Sequence, residues 1–172
     1  MAREETWAKL RHFKKDSSLD QWGDVNAIDD FVLLRLDDFR HYIDVPCYVT
    51  SGVRPETDGR SSYHTRGKGA CAVDVMFPEY KGHPIDLIFM SMRFGFTGIG
   101  YYPDWEWKGI KCGGLHLDTR PLGLDADGTI NYGHSMWMGI KVAVKKADGS
   151  IGFEQKYIEL SYKNLIRSLG RE

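Results

Sequence analysis

The run AVDVMF at residues 72–77 constrains this chain more than any other stretch. So short and nearly continuous an apolar run reads as a strand buried on both faces. Asp74 stands in its middle, where a carboxylate needs a cation or hydrogen-bond donors. The residues just before it offer a partner. Residues 61–74 read SSYHTRGKGACAVD, which puts His64 and several glycines into a loop that runs into the strand. A second imidazole, His116, follows in GGLHLDTR. Either histidine alone reads more readily as structural than as a ligand. Two His and one Asp together form a ligand set for a catalytic zinc, with a fourth position left for water.

Period two along a strand places His116 and Asp118 on one face. Asp118 can then orient the histidine, hold a substrate amine or accept a proton. Arg54, at the end of SGVR, puts a guanidinium at a loop entrance, and a guanidinium suits bidentate recognition of a carboxylate. Without neighbours it reads more readily as an ordinary surface arginine. Tyr101, Tyr102, Trp105 and Trp107 form an aromatic cluster that fits either a binding platform or ordinary packing. Cys47, Cys71 and Cys112 are odd in number and make no CxxC pair, so they read as small buried hydrophobes rather than a disulfide framework. Cys71 lies in the loop itself and is a minor candidate for thiolate ligation.

The remaining pattern is that of a mixed fold. Residues 4–13 form a short helix. Residues 27–43 form the clearest one, with Ile28, Val32, Leu36, Phe39 and Ile43 at helical spacing and Asp24 or Asn26 as N-cap. Val45 and Pro46 end it, and CYVTSG is a strand. Residues 51–62 are loop by composition. A helix over 84–92 starts at Pro84 and stops at Gly95. Strands follow at 96–102 and 115–119, joined by a loop or hairpin, with a further loop over 120–135. Residues 138–146 and 151–160 alternate around the turn ADGS as a β-hairpin, and residues 161–169 close as a helix. No repeat or linker divides the 172 residues. The expectation is one α+β domain with a mostly antiparallel central sheet, packed helices and a metal site, its motif-bearing core over about 27–120.

Charge sets limits on partners. There are 23 basic and 24 acidic residues and no Lys/Arg run, so no nucleic-acid footprint is indicated. No apolar run approaches the length of a membrane span. The opening MAREETWAKLRHF is charged and lacks the apolar core of a signal peptide, which points to synthesis in a cytoplasm.

Taken in order, SGVR at 51–54, Ser62-Tyr-His64 with Gly67, Ala72-Val-Asp74, Gly98-Ile-Gly-Tyr101 and His116-Leu-Asp118 resemble the zinc D-Ala-D-Ala peptidases (peptidase family M15), in the branch whose third ligand lies in HxD. The resemblance runs from the long helix to Arg120; the last fifty or so residues carry no motif of that family. It implies one Zn²⁺ held by His64, Asp74 and His116, a substrate carboxylate bound by Arg54, and support from Ser62 and Tyr101. It also implies a substrate in the stem peptide of bacterial peptidoglycan, cut by a zinc-activated water as a D-Ala-D-Ala carboxypeptidase or an L-Ala-D-Glu-type endopeptidase. The chain departs from the family pattern twice. The pattern SxHxxGxAxD is lengthened by three residues within GKGACA, and the glutamate that many relatives carry three residues before the last histidine is Gly113. Asp118 is the first substitute as proton acceptor, with Arg54 beside it as the other catalytic candidate; Glu56, Glu106 and His134 follow. A monomer of phage-lysin type is the expected setting, acting in host lysis or carried on a virion, and a bacterial cytoplasmic enzyme trimming recycled muropeptides has the same signature. The alternatives are a zinc-containing cell-wall-binding or virion module without activity, and a protein in which the three ligands never meet.

Overall fold

The computed structural model describes residues 4–56, 62–121 and 134–168. Two helices begin the core. α1 covers Glu4–Lys9 and α2 covers Asp30–Ile43. α2 starts later than its apolar spacing predicts because Asp29 is the N-cap, its carboxylate accepting from the backbone N–H groups of Phe31 and Val32. Asp24 instead closes a separate turn, accepting from the N–H of Asn26 at 3.1 Å, and Ile28 is buried ahead of the helix rather than on it. Asp44 ends α2 in the left-handed region at φ 50°, and Pro46 follows.

The strands are β1 (Tyr48–Ser51), β2 (Ala72–Met76), β3 (Gly98–Tyr102), β4 (Glu106–Trp107), β5 (Ile110–Lys111), β6 (Gly114–Asp118), β7 (Ser135–Lys145) and β8 (Ile151–Glu159). α3 (Pro84–Arg93) precedes β3, and α4 (Tyr162–Ser168) follows β8. The connection between β3 and β6 is the small β4–β5 hairpin. The expected loop over 120–135 falls largely on 122–133, outside the described residues, as do parts of the loop after Arg54 and the last residue of the closing helix.

Six strands form one sheet in the order β1-β2-β6-β3-β7-β8. All neighbours are antiparallel except β3 and β7, which run parallel. The expected α+β domain with a mostly antiparallel sheet is the fold observed. β2, β3 and β6 are buried along their whole length, and period two divides their side chains between the sheet's faces. Val73, Val75, Ile99, Tyr101, Leu115, Leu117 and Met138 belong to the hydrophobic core, together with Val32, Leu33, Leu36 and Phe39 of α2 and Leu87 and Ile88 of α3. The opposite face carries Asp74, His116 and Asp118, and its neighbours include glycines at 98, 100, 114 and 139. A Cβ at each of these glycines would meet the side chain of Asp118, Trp137, Trp105 or Tyr102 respectively. The glycines thus make room for those side chains on the functional face.

Among the described residues no helix is long and apolar enough to cross a membrane.

Candidate metal centre

The backbone register builds the site. Asp74 lies directly across from His116 in the β2–β6 ladder, and Gly100 lies across from His116 in β3–β6. Directly opposed residues share a face, so strand pairing alone brings a carboxylate and an imidazole together. His64 arrives from the loop. Thr65 is followed by a 3-10 turn at Arg66–Lys68, and then Gly69 and Ala70 take positive φ values of 89° and 48°. Backbone bonds from Gly69 to Arg66 and from Ala70 to Thr65 fold this segment tightly. The lengthened loop is absorbed there, and His64 still reaches Asp74.

Gly52 fixes the imidazole of His64. Its carbonyl accepts from His64 Nδ1 at 2.7 Å, while its N–H donates to the carbonyl of Gln21 at 2.8 Å. A Cβ at Gly52 would lie 2.3 Å from the carbonyl oxygen of Trp22, so the glycine of SGVR permits a close backbone approach. With Nδ1–H donated to Gly52, neutral His64 presents the lone pair of Nε2 inward. His116 is oriented the other way round. Its Nε2 lies 3.0 Å from Asp118 Oδ2, so neutral His116 donates there and presents the lone pair of Nδ1.

Three acceptor atoms consequently converge. His64 Nε2 and His116 Nδ1 are 3.1 Å apart, His116 Nδ1 is 2.9 Å from Asp74 Oδ1, and His64 Nε2 is 3.3 Å from the same oxygen. Ligands of a tetrahedral zinc, each about 2.0–2.1 Å from the metal, lie about 3.3 Å from one another. Three lone pairs packed this closely repel unless a cation or proton sits among them. His64, Asp74 and His116 are 1%, 5% and 8% exposed, so water cannot relieve the clash from all sides. The expected ligand set is one that could hold a metal ion. Cys71 is not part of it, and burial pushes its thiol pKa up, away from the thiolate form.

The surrounding charges fit that role. Burial pushes the Asp74 carboxyl up, but with no metal present a proton held between it and the imidazoles of His116 and His64 outweighs burial and keeps the group well below the usual carboxylate range. Arg54 pairs with the other oxygen, Oδ2, and donates from Nε to Ser51 Oγ at 2.9 Å. Oδ1 is left as the single metal-facing oxygen. Burial lowers the pKa of His116, yet its hydrogen bonds to Asp118 and Asp74 raise it overall.

Asp118 lies behind His116, fully buried. Arg120 grips it through Nε at 2.8 and 3.0 Å and through Nη2, and the Arg120 N–H adds a bond to Oδ1 at 3.1 Å. Burial raises its pKa, but the bonds from Arg120 and His116 bring it down to about 2. Both oxygens are engaged, so Asp118 is placed to orient His116 and not to take a proton from a substrate.

An open cavity of about 600 Å³ lies over the site. Arg54, Ser62, Tyr63, Tyr102, Trp105, Arg120, Trp137, Gln155 and Tyr157 line it beside the three ligands. Ser62 also shapes the approach to His64, its Oγ accepting from the His64 N–H at 3.3 Å. Tyr101 does not line the cavity. It belongs to the core on the opposite face, and the neighbouring Tyr102 takes the place expected of it. The parity of GIGYY carries that signal: Gly98 and Gly100 face Asp118 and His116, so Tyr102 shares their face and Tyr101 does not. Trp105 stacks on Tyr102 at 4.2 Å, whereas Trp107 stacks on Tyr48.

The other proton acceptors fall elsewhere. Glu56 accepts from the N–H of Gly67 in the loop, and His134 stands just before β7; neither lines the cavity. Glu106 borders a neighbouring hollow that also reaches Asp74. Gly113 takes φ 67° before β6, a conformation that disfavours a glutamate there. Sequence reasoning missed Trp137, Gln155 and Tyr157, all from the C-terminal hairpin, and Arg120, whose guanidinium lies 4.3 Å from the ring of Tyr63 and 5.3 Å from that of Trp137. No family model matches the chain, and neither does any curated protein or solved structure.

Proposed function

We propose that the chain is a zinc-dependent hydrolase of peptide bonds in peptidoglycan stem peptides. One observation carries this reading: the three inward lone pairs of His64, Asp74 and His116 at the floor of an open, aromatic-walled cavity. Two imidazoles and a carboxylate suit zinc, and the open side leaves a position for water or substrate. When bound, zinc supplies Lewis acidity and a water of lowered pKa.

The chain's own residues do the rest. Gly52 and Asp118 hold the two imidazoles in their ligating tautomers. Arg54 pairs with Asp74 and presents a partly exposed guanidinium to the cavity, which suits the carboxylate of a stem peptide. Tyr102 keeps its phenolic proton, because burial pushes its pKa up to about 12, and it stands in the wall as a neutral hydrogen-bond donor. Trp105 and Trp137 form part of the cavity wall.

A second reading has its own support. Among the described residues lining the cavity, Asp74 is the one carboxylate, and it is a ligand. A zinc module that recognises cell wall without cutting it has that composition too. Purified cell walls incubated with the zinc-loaded protein separate the two. New amino or carboxyl termini, lost in His116→Ala, are expected of the hydrolase. A stoichiometric zinc with no peptide released from any wall type would leave the binding module.

A further inference from the structure

The guanidinium of Arg120 reaches three separate parts of the chain. Arg120 stands two residues beyond Asp118, the last residue of β6, and period two keeps it on the face of His116 and Asp118. Its backbone is tied down there. The Thr97 hydroxyl donates to the Arg120 carbonyl at 2.6 Å, and the Thr119 N–H donates to the carbonyl of Cys71 at 3.1 Å. The side chain folds back onto the strand it has just left. Nε and Nη2 fork onto the carboxylate of Asp118, and Nη1 donates to Ser135 Oγ at 3.4 Å, where β7 begins. The rings of Tyr63 and Trp137 both lie within cation–π reach of the same group. Tyr63 immediately precedes His64, and Trp137 packs beside His116.

Each contact uses a different feature of the guanidinium. Its fork matches a carboxylate, its remaining N–H groups meet a hydroxyl, and its flat delocalised faces suit aromatic rings. A lysine ammonium carries the charge but has neither fork nor face. The fork matters because Asp118 is 0% exposed. A carboxylate so buried keeps its place only while a cation and N–H donors meet it. Without the guanidinium, Asp118 retains the backbone N–H of residue 120 and Nε2 of His116 as partners. That is too little for a buried charge, which is then drawn toward water. His116 in turn loses the acceptor that decides which of its nitrogens faces the metal. The loop bearing His64 and the start of β7 lose their shared tie to β6 in the same event.

We propose that Arg120 is the positioning residue of the metal centre: it holds Asp118 against His116 and, with the same guanidinium, fastens the His64 loop and the start of β7 to the ligand strand. This rests on the metal reading of the site and not on peptide cleavage. The test measures zinc affinity of the full chain by competition with a fluorescent chelator. Arg120→Gln is expected to bind zinc at least tenfold more weakly than the parent. In an Asp118→Asn background the same substitution is expected to add almost nothing, because Arg120 acts through that carboxylate. Long-range proton–nitrogen NMR of the zinc-loaded chain shows which nitrogen of His116 carries the proton. The parent is expected to hold it on Nε2, and Arg120→Gln is expected to lose that protected signal to exchange with water. A role in folding alone would lower the thermal midpoint and leave the signal in place. Three results overturn the proposal: unchanged zinc affinity in Arg120→Gln, an undiminished effect of Arg120→Gln in the Asp118→Asn background, or an intact His116 signal in Arg120→Gln. Should Arg120→Gln fail to fold, Tyr63→Leu decides, since it leaves the fork in place and removes one ring. A loss of zinc affinity of roughly two- to fivefold supports the proposal, and no loss overturns it. A parent that binds zinc but releases no peptide sinks the hydrolase and leaves the role of Arg120 intact, whereas a parent that takes up no zinc overturns both.

Discussion

Gly98 lies directly across from Asp118, and a Cβ at Gly98 would sit 2.3 Å from both carboxylate oxygens. The carboxylate that orients His116 therefore occupies space that only glycine leaves. Gly98→Ala is expected to displace Asp118, release Nε2 of His116 and weaken zinc binding roughly 10–100-fold, the usual cost of losing an outer partner of a metal ligand. Competition with a fluorescent chelator measures this. An unchanged zinc affinity would show that Asp118 does not set the tautomer of His116.

Zinc affinity is expected to fall with acid in a defined way. The metal needs the neutral form of His116. Burial alone would favour that form, but the hydrogen bonds to Asp118 and Asp74 raise the His116 pKa above its ordinary 6.5. The proton competes from that raised value downward, so affinity is full at higher pH and drops by about tenfold per pH unit below it. Zinc titrations from pH 5 to pH 9 give the profile, and a flat response across that range would contradict it.

The metal-free protein carries a second acid dependence. Asp118 titrates near 2 in the fold against 3.8 for the free carboxyl. A depressed pKa contributes stability that is present above 3.8 and lost as pH falls toward 2, about 2 kcal/mol for this group. Asp118→Asn is expected to be less stable than the parent at pH 6 and to show a smaller difference at pH 2. Urea unfolding at the two pH values tests the sign.

Asp37 offers a control outside the site. This buried carboxylate on α2 accepts from the N–H groups of Arg11 and His12 at 3.0 and 2.8 Å and from Arg11 Nε at 2.8 Å. Asp37→Ala leaves these donors unpaired and is expected to cost roughly 1–3 kcal/mol of stability. Its zinc affinity is expected to match the parent's, measured with the same chelator.

The residues that could hold a metal were legible because each offends its surroundings: a charge in an apolar strand, an imidazole in a glycine-containing loop, an HxD on one strand face. Helix and strand positions were legible from periodicity, while the start of α2 was not, because several acidic residues precede it and only contacts show that Asp29 caps it. The role of Asp118 was not legible, since Arg120 closes on it through side-chain geometry that spacing alone leaves open. The hairpin was recognised as a hairpin, but its place in the sheet was not. Parallel pairing of β7 on β3 joins segments far apart in sequence, and no local pattern announces it. Trp137 consequently looked like any other residue before an alternating strand.

That parallel seam has a mechanical meaning. Four residue pairs hold β7 to β3, whereas nine hold β7 to β8. The hairpin is joined to the rest of the sheet by that short seam, and further along the N–H of Lys141 donates to Asp104 at 3.1 Å. Trp137 stands at the root, its ring 5.1 Å from that of His116. A displacement of the hairpin at this seam would reach His116, one of the three residues that could hold a metal ion, through the ring of Trp137.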